Sequence, residues 1–361
     1  MGRALDLARS VLGTTSPNPA VGAVVVKDGI VVGEGATQPP GQPHAEKVAL
    51  AQAGEKAKGA TLYVTFEPCC HYGRTPPCTK AIIAAGIAEV HIATIDPNPL
   101  VAGKGRAGVE RAGIRTYLGE REQEARELNE AFIKWITTGM PFVIAKFAMS
   151  LDGKAAASSG DSRWITGEEA RWRVHEVRRV VDAIMVGSNT VRQDDPQLTA
   201  RDSDGKPFPK QPLRVIVDIR GTVSPVARMF KEPGRTLVAV AGPLDEGRMA
   251  ALKKARAEVA VLPERDGLVD MKTLMEHLGG QQITSVLVEG GGEVLASMLE
   301  QGLVDKVMAF IAPVIIGGKS APTPVGGKGV ERVAEALRLS KIKVERFGED
   351  VMISGYLGQE R

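Results

Sequence analysis

A chain of 361 residues with 43% hydrophobic and 25% charged residues is long enough for two domains and too balanced in composition to be disordered. The formal net charge of +3 and the aromatic content of 4% argue against a broad surface that binds nucleic acid through phosphate contacts and base stacking. The three cysteines all lie within residues 69–78, which is typical of a metal site in a reducing compartment rather than a disulfide framework. Since no apolar run approaches the length of a membrane span, we expect a cytoplasmic protein outside the membrane.

The first half of the chain alternates short strands and helices. An amphipathic helix is predicted over residues 2–12, and a hairpin follows with strands at 21–26 and 30–33. The order of the elements after that helix, β-β-α-β-α-β-α-β, predicts an α/β layer flanked by helices. A long polar helix is predicted over 120–138, and Gly and Pro residues at 139–141 mark the expected domain boundary.

The second half, residues 140–361, is again of the α/β class. It opens with a strongly apolar strand after residue 141, and a helix is predicted at about 168–180. Helices at 245–256 and 270–278 separate short apolar runs of strand length, and the last two segments form a hairpin. We therefore expect a mostly parallel sheet with an antiparallel finish.

The stretch from His44 to Cys78 indicates the chemistry most strongly. A catalytic zinc site takes three protein ligands and keeps its fourth position for water, and His44, Cys69 and Cys78 can supply the three. Glu46 then remains to move protons. A non-ligand glutamate does this in zinc deaminases, which carry the pattern H-x-E…P-C-x-x-C.

The same stretch leaves other interpretations open. Cys70 or His71 could be a fourth ligand, which would make a closed structural zinc site and a non-catalytic zinc protein. Buried thiols without a metal are a second alternative. A third is a nucleotide or nucleic-acid deaminase with an accessory binding domain. Eight residues separate Cys69 from Cys78, whereas the deaminase pattern has two between its cysteines.

A glycine-rich turn stands out in the second half. The sequence VEGGG at 288–292 follows a predicted strand and opens a predicted helix. Glycines in such a place let backbone N–H groups approach a phosphate at a helix N-terminus. They could equally serve only as a flexible turn, and the residues themselves do not decide between the two.

Motifs spread over nearly the whole chain resemble one family. The motifs SPNPAVGAVVV, GQPHAE, EPCCHYGRTPPC and DPNPLVAGKG resemble the deaminase domain of the bifunctional deaminase/reductases of riboflavin biosynthesis. The wide cysteine spacing around GRTPPC is this family's variant of the deaminase pattern. The motifs KFAMSLDGKAA, GDSRWIT, VGSNTVRQDDPQLTAR and LVEGGGEVLASML resemble its reductase domain. The resemblance implies a cytidine-deaminase-like α/β/α domain at 1–139 and a dihydrofolate-reductase-like α/β domain at 140–361.

The resemblance also implies two successive reactions. The first would be a zinc-dependent hydrolytic deamination of 2,5-diamino-6-ribosylamino-4(3H)-pyrimidinone 5′-phosphate. The second would be the NADPH-dependent reduction of the ribosyl group, which gives 5-amino-6-ribitylaminouracil 5′-phosphate. We therefore expect Zn²⁺ and NADPH as cofactors and a small phosphorylated pyrimidine as substrate. We expect no nucleic-acid partner and a homo-oligomer, either a dimer or a tetramer.

Roles for individual residues follow from the same resemblance. It implies zinc on His44, Cys69 and Cys78, with Glu46 as the proton shuttle. The substrate of the deaminase would be contacted by Asn18, Arg74, Asp96 and Asn98. NADPH would be contacted by Ala148, Trp164, Thr190, Asp194, Gly291, Gly292, Glu293, Val294, Leu295, Ala296 and Ser297. The substrate of the reductase would be contacted by Lys146, Ser162, Arg178, Leu198, Arg201 and Glu289.

Some of these residues also have a purely structural interpretation. Trp164 could lie in the core, and Asp194 could have no role other than forming a turn. Arg178 could belong to a solvated helix face, because runs of charge usually face solvent. His175 and His277 lie in helical patterns, and we expect both at the surface.

Overall fold

The computed structural model describes residues 1–73 and 76–358. Its contacts divide the chain into two compact units, Met1–Met140 and a second that begins at Pro141. Within the described residues, no helix is both long and apolar enough to cross a membrane. Arg74, a predicted substrate contact, lies outside the described residues.

The first unit is a mixed sheet with helices. Its elements are α1 Gly2–Ser10, β1 Gly22–Lys27, β2 Ile30–Ala36, α2 Ala45–Ala53, β3 Thr61–Phe66, α3 Cys78–Ala84, β4 Glu89–Thr94, α4 Lys104–Arg111, β5 Arg115–Leu118, α5 Glu122–Leu128 and α6 Glu130–Thr138. The sheet order is β2-β1-β3-β4-β5, in which β1 runs antiparallel to both neighbours and β3, β4 and β5 are parallel. The predicted element order is confirmed, and the carboxyl ends of β3 and β4 lie side by side.

Helix α2 packs unusually close to the hairpin because both surfaces are made of small residues. Gly33 and Gly35 lie two apart on β2 and so share one face of the sheet. A Cβ atom on Gly35 would lie 2.3 Å from the Ala45 carbonyl oxygen, and one on Gly33 would lie 2.2 Å from that of Ala49. The hairpin therefore leaves α2 no room to approach more bulky residues on this face.

The single helix predicted over 120–138 is wrong. The chain forms two helices there, α5 and α6, which meet at Asn129. The buried Asn129 amide nitrogen donates to the Ala125 carbonyl at 3.2 Å and to the Ala20 carbonyl at 3.1 Å. Its oxygen accepts from the Ala20 N–H at 2.8 Å. The side chain thus competes for backbone groups and interrupts the helix.

The second unit is built on one large sheet. Its elements are β6 Phe142–Ser150, α7 Glu168–Val180, β7 Ala183–Gly187, α8 Ser188–Asp194, β8 Leu213–Val217, β9 Thr236–Ala241, α9 Glu246–Lys254, β10 Ala257–Leu262, β11 Glu264–Arg265, β12 Leu268–Val269, α10 Met271–Gly280, β13 Ser285–Gly290, α11 Gly292–Glu300, β14 Lys306–Ala312, β15 Ser340–Phe347 and β16 Asp350–Tyr356. The nine-stranded sheet has the order β10-β9-β8-β7-β13-β6-β14-β16-β15. From β10 to β14 along this order, neighbouring strands are parallel. The pairs β14–β16 and β16–β15 that complete the sheet are antiparallel, as predicted.

The strand order of the second unit creates a crevice at one end of its sheet. Strand β13 lies between β6 and β7, which are consecutive along the chain. Ligands of open α/β sheets bind at the carboxyl ends of the strands where the winding order changes. Gly187 ends β7 and Gly290 ends β13, and both therefore lie at this end.

Candidate active sites

His44, Cys69 and Cys78 come together in the first unit, with their ligand atoms all within 4.8 Å of one another. Nδ1 of His44 lies 3.6 Å from Sγ of Cys69 and 3.5 Å from Sγ of Cys78. In a tetrahedral zinc site with Zn–N of about 2.1 Å and Zn–S of about 2.3 Å, nitrogen and sulfur donors lie about 3.6 Å apart. The donor set and its spacing therefore fit zinc.

Local structure places these ligands at helix N-termini, as predicted. His44 is the N-cap residue of α2, and Cys78 is the first residue of α3. The positive end of a helix dipole favours thiolates. Hydrogen bonds from Cys78, including one from its backbone N–H at 3.3 Å, and from His44 lower the pKa of the Cys69 thiol to about 4.

Glu46 is the acidic group of this site. It lies in the first turn of α2, and only 3% of its surface is exposed. Burial, together with the charge of Cys69, raises the pKa of Glu46 to about 7. A carboxyl group with a pKa near the working pH can both accept and return a proton.

Cys70 and His71 do not belong to the ligand cluster formed by the described residues. Cys70 is only partly buried, and burial raises the pKa of its thiol. The three-ligand arrangement therefore leaves a coordination position for water, as catalytic rather than structural zinc sites do.

Asp96 and Asn98 follow the end of β4, beside the strand that leads to Cys69. Only 7% of Asp96 is exposed, and burial raises the pKa of its carboxyl group to about 6. Its side chain accepts from the Asn98 N–H at 2.8 Å, and the Asn98 side chain accepts from the Leu100 N–H at 3.0 Å. The two predicted substrate contacts thus lie in one loop that is held by hydrogen bonds within itself.

Glu67 organises this loop, although no sequence pattern indicates it. Its carboxylate accepts from the Asp96 N–H at 3.2 Å, the Gly103 N–H at 2.9 Å and the Arg106 N–H at 2.9 Å. Glu67 is 4% exposed and lies two residues before Cys69. One buried carboxylate therefore ties the ligand segment to the loop and caps α4.

Asn18 lies on another loop of the first unit. Its backbone N–H donates to the Thr15 carbonyl at 2.9 Å. Two residues later, both backbone groups of Ala20 bond to the Asn129 side chain described above. Asn129 is therefore a second residue that holds a predicted substrate loop and that the sequence did not reveal.

Arg178, Glu289 and Lys146 form a charged cluster in the second unit. Arg178 donates to both carboxylate oxygens of Glu289, at 2.6 and 2.7 Å, and to the Thr199 carbonyl at 3.2 Å. The side chains of Arg178 and Glu289 are 17% and 5% exposed, so Arg178 does not lie on a solvated face. Burial lowers the pKa of Lys146, while the nearby Glu289 opposes this.

The loop after α8 brings further predicted residues together. The Ser162 hydroxyl lies 3.4 Å from a carboxylate oxygen of Asp194, which joins a predicted substrate contact to a predicted NADPH contact. Arg201 donates to the Thr199 hydroxyl at 2.8 Å. Leu198 has a left-handed φ of 51° and packs its side chain in the core. Any contact of Leu198 with a ligand would therefore come from its backbone.

The glycine-rich turn packs closely against the end of β7 and the start of α8. Gly291 has a φ of 86°, and a Cβ atom there would lie 3.3 Å from the Gly187 nitrogen. A Cβ atom on Gly290 would lie 3.3 Å from the Thr190 hydroxyl. Helix α11 begins at Gly292, so its first N–H groups point towards this turn.

Residues 294–296 of the predicted NADPH stretch differ from their neighbours because their side chains are buried. The flanking residues at 291–293 and 297 are at least partly exposed. A dinucleotide at this helix start would therefore meet backbone N–H groups rather than the buried side chains of Val294, Leu295 and Ala296. The start of α11 fits the phosphates of NADPH, because helix N-termini bind anions.

Two single residues complete the second site. Ala148 lies on β6 and is partly exposed. Trp164 is 71% exposed, which excludes the core interpretation, and the Arg171 guanidinium lies 4.6 Å from its ring centroid. An exposed ring held by a cation is available for stacking against a ligand.

Two family models match the chain. The description "Cytidine and deoxycytidylate deaminase zinc-binding region" covers residues 1–94, and "RibD C-terminal domain" covers residues 141–353. Curated relatives carry the name riboflavin biosynthesis protein RibD. The one from Aquifex aeolicus is 45% identical over 98% of this chain and 96% of its own, and the one from Escherichia coli is 43% identical over 98% and 97%.

Solved structures resemble the chain over nearly its whole length. RibD from Acinetobacter baumannii is 39% identical with a TM-score of 0.90 and covers 99% of this chain and 98% of its own. A protein from Thermotoga maritima is 38% identical, with a TM-score of 0.86 and coverage of 99% and 97%. It is described as a diaminohydroxyphosphoribosylaminopyrimidine deaminase/5-amino-6-(5-phosphoribosylamino)uracil reductase.

Proposed function

The chain belongs to the RibD family of bifunctional deaminase/reductases of riboflavin biosynthesis, and we propose which of its residues carry the two reactions. Residues 1–139 deaminate 2,5-diamino-6-ribosylamino-4(3H)-pyrimidinone 5′-phosphate. Residues 140–361 then reduce its ribosyl group. The observation that carries the proposal is the open three-ligand cluster of His44, Cys69 and Cys78 next to the buried acid Glu46.

In the deaminase, Glu46 moves the protons. Zinc, when bound by the three ligands, supplies a Lewis acid that lowers the pKa of water. Glu46 accepts a proton from the attacking water and returns it to the amine of the pyrimidine, which leaves as ammonia while a carbonyl remains. Asn18, Asp96 and Asn98 bind and orient the pyrimidine and ribose, and Arg74 binds the phosphate.

In the reductase, the charged cluster binds the sugar. NADPH, when bound, supplies the hydride that reduces the ribosyl carbon. The N-terminal N–H groups of α11 would hold its phosphates, and Trp164 would stack against it. Lys146, with its lowered pKa, sits beside Glu289 and polarises the sugar carbonyl or imine. Arg178 and Arg201 hold the substrate, because guanidinium groups suit phosphate and polar oxygens.

The deaminase proposal predicts the effect of Glu46→Gln. The amide keeps the shape of the side chain but cannot take the proton, so ammonia release should fall by about 10²- to 10⁴-fold while the bound zinc is retained. Ammonia release and metal content of the purified protein measure the two outcomes. The matched control is Glu55→Gln, at an exposed position just after α2, which should change neither. Persistent ammonia release in Glu46→Gln would remove Glu46 from its role.

We also propose that the protein is a cytoplasmic homo-oligomer, a dimer or a tetramer, without a nucleic-acid partner. Strand β15 ends the sheet and exposes 59% of Ile342 and 66% of Val344. If two copies pair antiparallel about Val344, Lys343 of one lies opposite Glu345 of the other, which is favourable. Val344→Asp should then lower the mass measured by light scattering, and an unchanged mass would argue against this edge.

A further inference from the structure

One face of α7 runs between the two halves of the proposed reductase site. Arg171, His175 and Arg178 are spaced by four and three residues, so they lie above one another on the same face. Arg171 lies over the ring of Trp164, and Arg178 is bonded to Glu289. His175 therefore lies between the residue proposed to contact NADPH and the pair proposed to contact the substrate.

His175 carries a buried polar atom that nothing satisfies. The side chain is partly exposed, but its Nδ1 is buried and has no hydrogen-bond partner among the described residues. Buried polar atoms are almost always bonded, and leaving one unpaired costs free energy. The arrangement is explained if a ligand supplies the missing partner.

The surroundings of His175 keep the ring neutral. Burial, followed by the positive charge of Arg178, lowers the pKa of His175 to about 4, while Glu289 opposes this and Arg201 adds to it. The ring therefore carries one proton at neutral pH. A neutral imidazole can offer Nδ1 either as an acceptor or as an N–H donor, and a hydroxyl group can partner both forms.

We propose that His175 contacts the substrate of the reductase and that its Nδ1 forms a hydrogen bond with a hydroxyl group of the ribosyl chain. The sugar is the part that is reduced, so it must lie between the hydride donor and the charged cluster, where His175 stands. The inference rests on the proposed reductase function.

Three substitutions of His175 distinguish the loss of the proposed hydrogen bond from the loss of the ring shape. Asn places its amide group near the position of Nδ1, Gln places its amide group near that of the other ring nitrogen, and Phe keeps a ring without any hydrogen-bonding nitrogen. The KM for the deaminated substrate should rise about threefold to tenfold in His175→Phe and His175→Gln, the loss of one hydrogen bond. His175→Asn should remain close to the wild type.

Two binding measurements distinguish a contact residue from a structural one. The dissociation constant for NADPH, measured by its fluorescence, should be the same in all variants. The melting temperature of His175→Phe without substrate should be unchanged or higher, since an unpaired buried nitrogen is removed. The increase in melting temperature on adding the deaminated substrate should nevertheless be smaller than in the wild type. His277→Phe, at a partly buried histidine of α10, serves as the control and should match the wild type.

The outcomes separate this inference from the proposed function. If the wild-type protein does not oxidise NADPH with the deaminated substrate, the reductase function fails, and the thermal shift still tests His175. If the wild type is active and His175→Phe keeps its KM and its thermal shift, the inference is overturned. Equal losses in the Asn, Gln and Phe variants would also overturn it, because they would show that packing rather than a polar group at the position of Nδ1 matters.

Discussion

At the scale of single residues, Glu67 illustrates how a buried carboxylate shapes a site without touching the reacting atoms. It accepts from three backbone N–H groups, those of Asp96, Gly103 and Arg106. The chain also approaches it closely, since a Cβ atom on Gly105 would lie 3.2 Å from a carboxylate oxygen of Glu67. Glu67 therefore positions the predicted substrate loop relative to the segment that carries Cys69.

Glu67→Gln should disturb this loop more than the metal site. Glutamine has one acceptor oxygen in place of two, and its NH₂ group would face backbone N–H donors. We expect a loss of about 1–3 kcal/mol in the free energy of unfolding and a higher KM for the pyrimidine, with zinc content retained. Glu110→Gln, on the exposed side of α4, is the matched control. An unchanged KM alongside reduced stability would restrict Glu67 to a structural role.

The residues of the metal site could be predicted from the sequence because the residue types themselves indicate metal binding and proton transfer. His44 and Glu46 lie two apart, and Cys69 and Cys78 frame one loop. Glu67 could not be found in this way, because its partners are backbone groups of any residue type at distant positions. The same holds for His175, whose significance is a buried nitrogen without a partner rather than a sequence pattern.

At the scale of elements, alternating hydrophobicity predicted the order of strands and helices in the first unit, and the structure confirms it. The break between α5 and α6 was not predictable. The polar pattern continues through Asn129, and only the Ala20 backbone, far away in sequence, explains why this side chain leaves the helix. Hydrogen bonds between residues distant in sequence therefore set the boundary between α5 and α6, which the local sequence pattern did not determine.

The close contact between β2 and α2 makes a further prediction at this scale. Gly35→Val would insert a side chain where a Cβ atom alone lies 2.3 Å from the Ala45 carbonyl oxygen, so α2 must shift. Because His44 and Glu46 begin this helix, zinc content and ammonia release should both fall strongly, while NADPH oxidation remains. Ile30→Val, at an exposed position of the same strand, is the control. Normal zinc content in Gly35→Val would show that the helix position is not critical.

At the scale of the whole molecule, the two chemistries occupy separate parts of the chain. The proposed zinc ligands all lie in Met1–Met140, and Lys146, Arg178 and Glu289 all lie in the unit that begins at Pro141. Each unit has its own sheet, and a substitution or metal loss in one should leave the chemistry of the other in place.

This separation predicts reciprocal losses. Removal of zinc by a chelator should abolish ammonia release and leave NADPH oxidation with the deaminated substrate nearly unchanged. Arg178→Ala should do the reverse, because it leaves the buried carboxylate of Glu289 without its bidentate partner, and the KM of the reductase should rise at least about tenfold. Arg179→Ala, its more exposed neighbour on α7, should leave both activities unchanged.

The two measurements are made on one preparation, with each substrate supplied separately so that the second step does not depend on the first. Thermal unfolding of the same samples shows whether zinc removal lowers the stability of only part of the molecule. Metal binding stabilises the folded first unit. Loss of the metal should therefore lower the midpoint temperature of one unfolding transition and leave that of a second unchanged. A joint loss of both activities on chelation would mean that the reductase chemistry depends on the metal site, which the placement of the residues argues against.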